Sequence, residues 1–319
     1  MNLIEVTKNY NTQTKCLKLL EQLRWGKTVK CTFCESKNVK AIKTEQGRYS
    51  CKNCNKSFSV IVGTIFEETR LPLPQWFQII TLMLNAKSGI SAKEIERNMG
   101  ITYKTAYYVC MRIRIGMLME ETKLNGIIEM DESYFGGVAR ANNKTIEDNQ
   151  ISIANTSNKR GRGTNKISVV GMVQRKGMVV TKVIEKLTKR NLLAMLKTYA
   201  KKDNSILITD GFRSYAELEK YIDRLVINHS KQYSRGIVHI NTIEGYWSYV
   251  KNGIKGSFKA VSKKYLPIYL VEFEWKYNHR NFRGNQLEKY LKNALMQEKE
   301  LEHYKAKSTQ EVKNIVYNQ

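Results

Sequence analysis

The sequence predicts a mixed α/β domain preceded by two small modules, and three observations carry that expectation. Four of the six cysteines form two Cys-x-x-Cys pairs near the N-terminus. Two short helical patterns follow, separated by a glycine. Beyond residue 123 the hydrophobic period changes, and the elements run strand, strand, strand, helix, strand, helix, strand, helix. That order is the order of a ribonuclease-H-like fold. The full expectation is therefore a zinc ribbon, a helix-turn-helix domain and a ribonuclease-H-like α/β domain with a mixed sheet.

Composition bounds what such a chain can do. The 319 residues suffice for two or three domains, and 42% of them are apolar, as in globular proteins. Lys and Arg number 54 against 29 Asp and Glu, a formal net charge of +25 spread along the whole length. A charge of that size favours a polyanionic partner over a surface kept basic only for solubility. No apolar run approaches the roughly 20 residues of a membrane-spanning helix. The N-terminus lacks the apolar core of a signal peptide. Paired cysteines in such a chain read as metal ligands in a reducing compartment such as the cytoplasm. Cys16 and Cys110 fall in helical patterns and read as buried thiols.

Residues 1–25 read as one short amphipathic helix with Cys16, Leu17, Leu19, Leu20 and Leu23 on its apolar side. Residues 26–66 read as the ribbon. Cys31-Thr-Phe-Cys34 and Cys51-Lys-Asn-Cys54 are separated by sixteen residues, which gives four thiolates for one structural, tetrahedral Zn²⁺. Val39–Lys43 and Arg48–Ser50 read as the hairpin between the pairs. So short a segment buries no core of its own, so the metal supplies its folding energy. A redox role would not call for two such motifs at this spacing. Lys30, Lys37, Lys40, Lys43, Arg48, Lys52 and Lys56 favour contact with DNA over contact with protein.

Residues 67–122 read as a helical domain. Pro72 and Pro74 lead into a buried helix containing Trp76, Phe77, Ile79, Ile80 and Leu82–Leu84. Ser91-Ala-Lys-Glu94 is a capping box that starts a second helix. Gly100 ends it, and Thr102 caps a third whose inner face is Ala106, Val109 and Ile113. Helix, short glycine turn and helix is helix-turn-helix spacing, with a plain helical hairpin as the other reading. On the first reading Tyr103, Lys104, Thr105 and Tyr108 face a DNA groove.

Residues 123–285 read as the α/β domain. Ile127–Glu132 is a strand ending in acid. Residues 136–166 are rich in Gly, Asn and Lys and read as a mobile basic insertion, with Lys159, Arg160 and Arg162 able to follow a phosphate backbone. Strands at 167–174 and 178–184 and a helix at 188–200 follow. The strand at 205–211 delivers Asp210 at its C-terminal end. A helix at 214–221 and a strand at 224–228 lead to the stretch from His239 to Lys255. Read as a helix, that stretch places Asn241, Glu244, Ser248 and Lys251 within an arc of about 80°, and Ile243, Trp247, Val250 and Ile254 within another of about 60°. A polar stripe of this kind is either a solvated face or a site. In the helix at 263–280, Leu266, Leu270, Phe273 and Tyr277 have core spacing, and residues 286–319 read as a charged helical tail.

Asp131 and Asp210 thus end two strands, and Glu244 lies on the helix thirty-four residues beyond Asp210. A lone strand-terminal Asp is usually a turn former. Two of them with a helical Glu above an apolar face are harder to explain that way. In a ribonuclease-H-like sheet the three converge, and their mutual repulsion calls for a divalent cation. Two Mg²⁺ or Mn²⁺ ions held by such acids would activate the attacking oxygen and stabilise the leaving oxygen of a phosphodiester.

Together the two Cys-x-x-Cys pairs, Phe58-Ser-Val-Ile-Val-Gly-Thr-Ile-Phe66, Met130-Asp-Glu-Ser-Tyr-Phe-Gly-Gly137, Thr209-Asp-Gly-Phe-Arg-Ser-Tyr215, Asn228-His-Ser230 and His239-Ile-Asn-Thr-Ile-Glu-Gly-Tyr-Trp-Ser248 form an ordered set of blocks. From about residue 20 to residue 285 this set closely resembles the ISXO2-like insertion-sequence transposases, bacterial relatives of the Merlin transposons. The resemblance implies a DDE transposase in which Asp131, Asp210 and Glu244 hold the metals and Lys251 contacts DNA near the cleavage site. Part of that family has asparagine as its third active-site residue. Asn241 lies one turn from Glu244 on the same face, so the third ligand is open between them, with the carboxylate the better partner for Mg²⁺. His229 either approaches this site or hydrogen-bonds within the fold. The expected activity is cleavage at an element's ends and joining of the 3′-hydroxyls to target DNA. Because two ends are joined, a homodimer or larger assembly is expected on double-stranded DNA. A DNA-binding protein that no longer cuts, and a ribonuclease-H-like nuclease without joining, are the rival readings.

Overall fold

The computed structural model describes residues 1–119, 122–136, 166–227, 238–296, 312–313 and 316–317. Most of the basic insertion, including Lys159, Arg160 and Arg162, lies outside the described residues, as do Asn228, His229 and Ser230 and most of the chain beyond residue 296. Among the described residues no helix is long and apolar enough to cross a membrane.

The first 25 residues form two helices rather than one, α1 (Leu3–Asn9) and α2 (Gln13–Trp25). The Asn-Tyr-Asn-Thr stretch from residue 9 supplies the break, because the Thr12 hydroxyl accepts the N–H of Lys15 and caps a fresh helix. Three short antiparallel strands follow in the order β1 (Val39–Ala41), β2 (Arg48–Cys51) and β3 (Ser57–Ser59). Helix α2 lies against them. Tyr49 donates its hydroxyl to Glu21 at 3.0 Å, and Trp25 meets Tyr49 and Phe58 edge-on. Arg24 Nη1 donates to the carbonyls of Val60 and Val62 at 2.6 Å each. The ribbon therefore borrows its apolar cover from the helix before it.

Next come α3 (Leu73–Asn85), α4 (Ala92–Met99) and α5 (Tyr103–Gly116). Ser91 and Thr102 cap the last two as their sequence positions predict, and Gly100 takes the left-handed φ of +63° that ends α4. Ala106, Val109 and Ile113 are buried on the inner face of α5.

The α/β domain comprises β4 (Leu124–Phe135), β5 (Ile167–Gln174), β6 (Val179–Val183), α6 (Lys189–Tyr199), β7 (Ala200–Asp210), a 3-10 helix at Arg213–Lys220, β8 (Asp223–Ile227), α7 (Asn241–Gly253) and α8 (Leu266–Asn278). Its sheet has the order β6-β5-β4-β7-β8. Strands β4, β5 and β6 form an antiparallel meander, whereas β7 pairs parallel to β4 and β8 parallel to β7. This is the mixed sheet of a ribonuclease-H-like domain. Alternate residues of β4 explain the two covered faces. Ile128 and Met130 join Val170, Met172 and Leu207 beneath α6 and the 3-10 helix. Phe135 joins Val169, Val173 and Ile208 beneath Ile243, Trp247 and Val250 of α7 and Leu270 and Phe273 of α8.

Two further expectations change. Strand β4 does not end at its acids; it continues to Phe135, because residues 131–135 stay paired with Ile167–Gly171 of β5. The supposed charged tail begins as a core helix, α9 (Gln286–Met296). Leu287, Tyr290, Leu291, Ala294 and Leu295 recur at helical spacing and are buried in one cluster with α2, α3, α5 and α8. Asn293 donates to the carbonyls of Gly116 and Leu118 at 2.9 and 2.8 Å, so α9 also closes the C-terminus of α5.

Candidate active site and metal centre

The four predicted cysteines come together. Their sulfur atoms all lie within 4.8 Å of one another, and Cys31–Cys54 and Cys34–Cys51 are each 3.6 Å apart. Four thiolates at about 2.3 Å from one tetrahedral Zn²⁺ stand about 3.8 Å apart, so the cluster fits that ion. The two halves are the same turn used twice. In the first, Glu35 N–H donates to Cys31 O and Cys31 N–H to Ser36 O, with Glu35 at φ +56°. In the second, Asn55 N–H donates to Cys51 O and Cys51 N–H to Lys56 O, with Asn55 also at +56°. Backbone N–H groups of Cys54 and Asn53 favour the Cys51 thiolate, while the hydrogen bonds within the cluster push Cys34 the other way, as four crowded thiols sharing their protons must.

The three predicted acids gather at one end of the sheet. The parallel ladder between β4 and β7 runs as far as Glu129 opposite Ile208. Two residues further along that register, Asp131 comes level with Asp210 on the same face. There β7 ends, and an Asp210 carboxylate oxygen accepts the N–H of Phe212 at 3.0 Å, turning the chain away. Helix α7 crosses this face with Ile243, Tyr246, Trp247 and Val250 buried beneath it and Asn241, Glu244, Ser248 and Lys251 exposed on its outer stripe. The crossing is close because Gly171, directly across the ladder from Asp131, has no side chain. A Cβ there would stand 2.6 Å from Trp247 Cζ2 and 2.9 Å from Ile243 Cδ1.

Burial pushes the Asp131 carboxyl up to about 7, and the neighbouring charges of Glu132, Asp210 and Glu244 all add to the rise. Asp131 therefore feels both of the other predicted ligands. Among the described residues only the four cysteines have all their donor atoms within 4.8 Å, so the three carboxylates stand further apart than that. Lys251 follows Glu244 by seven residues, about 10.5 Å along the helix axis. Asn241 opens the first turn of α7, beside Glu244 on the exposed stripe.

Several residues around the acids escape a sequence reading. Glu132 points to the opposite face and accepts the Tyr215 hydroxyl at 2.6 Å; burial and that carboxylate hold the phenol well above its ordinary range. Glu129 is fully buried and bonded to Arg175, Thr242 and the N–H of Ile243. Its only sequence signal is a carboxylate inside an apolar strand, which demands a partner without naming one.

On the helix pair, Tyr103 and Lys104 are exposed and Thr105 is half-buried. Tyr103 also packs under the Lys93 ammonium of α4 at 5.0 Å. Tyr108 is placed differently from the expectation. Its hydroxyl accepts from Arg112 Nη1 and its ring lies 5.1 Å from that guanidinium, because the buried Arg112 needs acceptors and finds one a helical turn away.

Residues 123–278 match the ISXO2-like transposase domain family, and residues 11–57 match the transposase zinc-ribbon domain family. The second match includes the whole of α2, the helix that covers the ribbon. The chain is 26% identical over 275 residues to an "Uncharacterized protein in transposable element ISH50" of Halobacterium salinarum (strain ATCC 700922 / JCM 11081 / NRC-1), spanning 84% of this chain and 91% of that one. Among solved structures it is similar to a pre-cleavage Mos1 transpososome, at 11% identity over 68% of this chain and 76% of that one with a TM-score of 0.24. It is also similar to the Mos1 Strand Transfer Complex, at 11% identity over 70% and 78% with a TM-score of 0.23. The fold assignment rests on the strand order and the family matches.

Proposed function

This chain carries an ISXO2-like transposase domain behind a transposase zinc ribbon, and we propose that it binds an element's terminal inverted repeats, cleaves at the ends and joins the freed 3′-hydroxyls to target DNA. The observation that carries the reading is the gathering of Asp131, Asp210 and Glu244 around one end of the sheet within that domain. The donor set is all carboxylate oxygen, the chemistry hard divalent cations take. Its own repulsion is what a cation relieves. Asp131, Asp210 and Glu244 would hold Mg²⁺ or Mn²⁺, with Asn241 the competing third ligand. Bound there, a pair of such ions supplies an activated attacking oxygen and charge neutralisation at the leaving one.

The remaining work belongs to the chain. Asp131 must give up its proton before it can accept a cation. Its carboxyl is held near 7, so cation affinity falls as pH drops below about 7. Lys251, on the exposed stripe beyond Glu244, supplies a positive charge for the DNA backbone beside the scissile bond. The α4–α5 pair presents Lys93, Tyr103 and Lys104 for the repeats, and the lysines of the ribbon add to that basic character. Two ends must be handled together, which calls for at least two copies of the chain.

The test is cleavage of a plasmid carrying the element's ends in Mg²⁺, with wild type beside Asp131→Ala, Asp210→Ala, Glu244→Ala and Asn241→Ala. Wild type is expected to cut at the ends. The two aspartate variants should lose roughly a thousandfold while still binding the ends. Glu244→Ala should lose as much and Asn241→Ala far less; the reverse would transfer the third position to Asn241. End binding with no cutting by wild type would leave a DNA-binding protein.

A further inference from the structure

We propose that Glu129, Arg175 and His239 form a positioning clamp that locks the first turn of α7, and with it Glu244, to the strand that carries Asp131. The proposal rests on the reading of those acids as one active site.

Helix α7 begins without a cap of its own. Its N-cap residue is Ile240, whose side chain accepts nothing, so the first N–H groups of the helix need partners from elsewhere. Glu129 provides one from β4. Its Oε2 accepts the N–H of Ile243 at 3.0 Å, the bond that a capping Ser or Asp side chain would ordinarily make. Its Oε1 accepts the Thr242 hydroxyl at 2.9 Å. A carboxylate at a helix N-terminus is also well placed against the helix dipole.

A fully buried carboxylate is costly unless opposite charge and donors surround it, and Arg175 meets that need. Arg175 Nε donates to Glu129 Oε1 at 2.6 Å. Its Nη2 reaches the residue just before the helix, donating to the His239 carbonyl at 2.8 Å and to His239 Nδ1 at 3.0 Å. Its own N–H donates to the Ile127 carbonyl at 3.0 Å, which anchors the arginine to β4 as well. The N–H of Asn241 also approaches His239 Nδ1, at 3.4 Å. In the tautomer that carries its proton on Nε2, His239 Nδ1 accepts from both of these donors.

The positions give this network more than a packing role. Glu129 precedes Asp131 by two residues on the same strand face, and Ile243 immediately precedes Glu244. The bond between residues 129 and 243 is thus a direct protein link between the segments holding two of the proposed ligands. Sites of this kind lose function when a supporting shell lets a ligand drift by about 1 Å.

The test uses the full chain with Glu129→Gln, which keeps the shape and can still accept from Ile243 but loses the charge that holds Arg175. Three readouts are taken: binding of Mn²⁺ by calorimetry, hydrogen exchange in the first turn of α7, and single-turnover cleavage with its Mg²⁺ dependence. We expect Mn²⁺ affinity to fall about tenfold, exchange at the Ile243 amide to speed up, and half-saturating Mg²⁺ to rise about tenfold. Binding of end DNA should stay within about twofold. Glu274→Gln, which alters a half-buried carboxylate on α8 bonded to Thr181 of β6, should leave the Mn²⁺ affinity unchanged; an equal fall there would reduce the clamp to general stability. Unchanged Mn²⁺ affinity and unchanged exchange in Glu129→Gln would overturn the proposal. Should that variant not fold, Arg175→Lys carries the same expectations, because an ammonium cannot fork between Glu129 and His239. A wild type that binds Mn²⁺ but never cuts would sink the transposase reading alone, since the affinity and exchange arms would still judge the clamp.

Discussion

Glu274 shows how a single half-buried carboxylate sets a pH dependence outside the acid cluster. It is enclosed between α8 and β6, where burial pushes it up to about 7 although Thr181 donates both its N–H and its hydroxyl. A carboxyl whose folded value lies above its unfolded one stabilises the fold fully below the unfolded value, and that contribution is lost as pH rises through about 7. Denaturant unfolding from pH 5 to pH 8 should therefore show wild type losing on the order of 3 kcal/mol relative to Glu274→Gln, and parallel curves would contradict the assignment. At this scale the sequence is legible where chemistry alone marks a residue. Asp131, Asp210 and Glu244 stand out as acids bordering apolar segments, and in the fold the charges of Asp210 and Glu244 both act on Asp131. Glu129 does not, because its partners lie 46 and 114 residues away and only folding reveals them.

Among the elements, α7 was the most readable, because a helical period separates its polar stripe from its apolar one without any tertiary knowledge. Helix α9 carries the same signal in Leu287, Tyr290, Leu291, Ala294 and Leu295, but the charged residues that follow it make the whole stretch read as a charged helical tail. Strand β4 was misjudged in length for a different reason. The residues after Asp131 include Glu132 and Ser133, which look like a strand end until pairing with β5 is known. The ribbon makes the sharpest prediction at this scale. Its strands are three or four residues long and its buried cluster consists of Cys31, Cys51 and Phe58 with partly buried neighbours, too little to fold without metal. Purified protein should carry one zinc per chain. Chelation or Cys34→Ser should abolish end-DNA binding while leaving the far-ultraviolet signal of the α/β domain largely intact. Retention of end binding without zinc would remove the ribbon from DNA recognition.

Across the whole molecule, the α3–α5 helices and the α/β domain are not beads on a string. Ile268, Val271 and Trp275 of α8 lie in the same apolar cluster as α3 and α5, while Leu270 and Phe273 of the same helix pack on α7. A buried triad crosses the junction, with Arg114 Nε of α5 donating to Glu272 at 2.7 Å and Lys276 Nζ to its other oxygen at 2.6 Å. Arg114 is also held over the Tyr269 ring at 4.1 Å. The helix that presents Tyr103 and Lys104 outward is thereby registered to the helix packed behind the acids. Composition points to a nucleic-acid partner, but this junction is invisible in the sequence, because each charge in it reads as an ordinary surface charge until it is buried.

That union of end recognition with acid chemistry is the central claim, and joining tests it most directly. A 3′-hydroxyl oligonucleotide carrying the element's end would be incubated with plasmid DNA in Mg²⁺, using wild type beside Asp210→Ala. Joined product from wild type that vanishes in the variant is the predicted result. Cutting of the plasmid without joining, or product that survives Asp210→Ala, would contradict it.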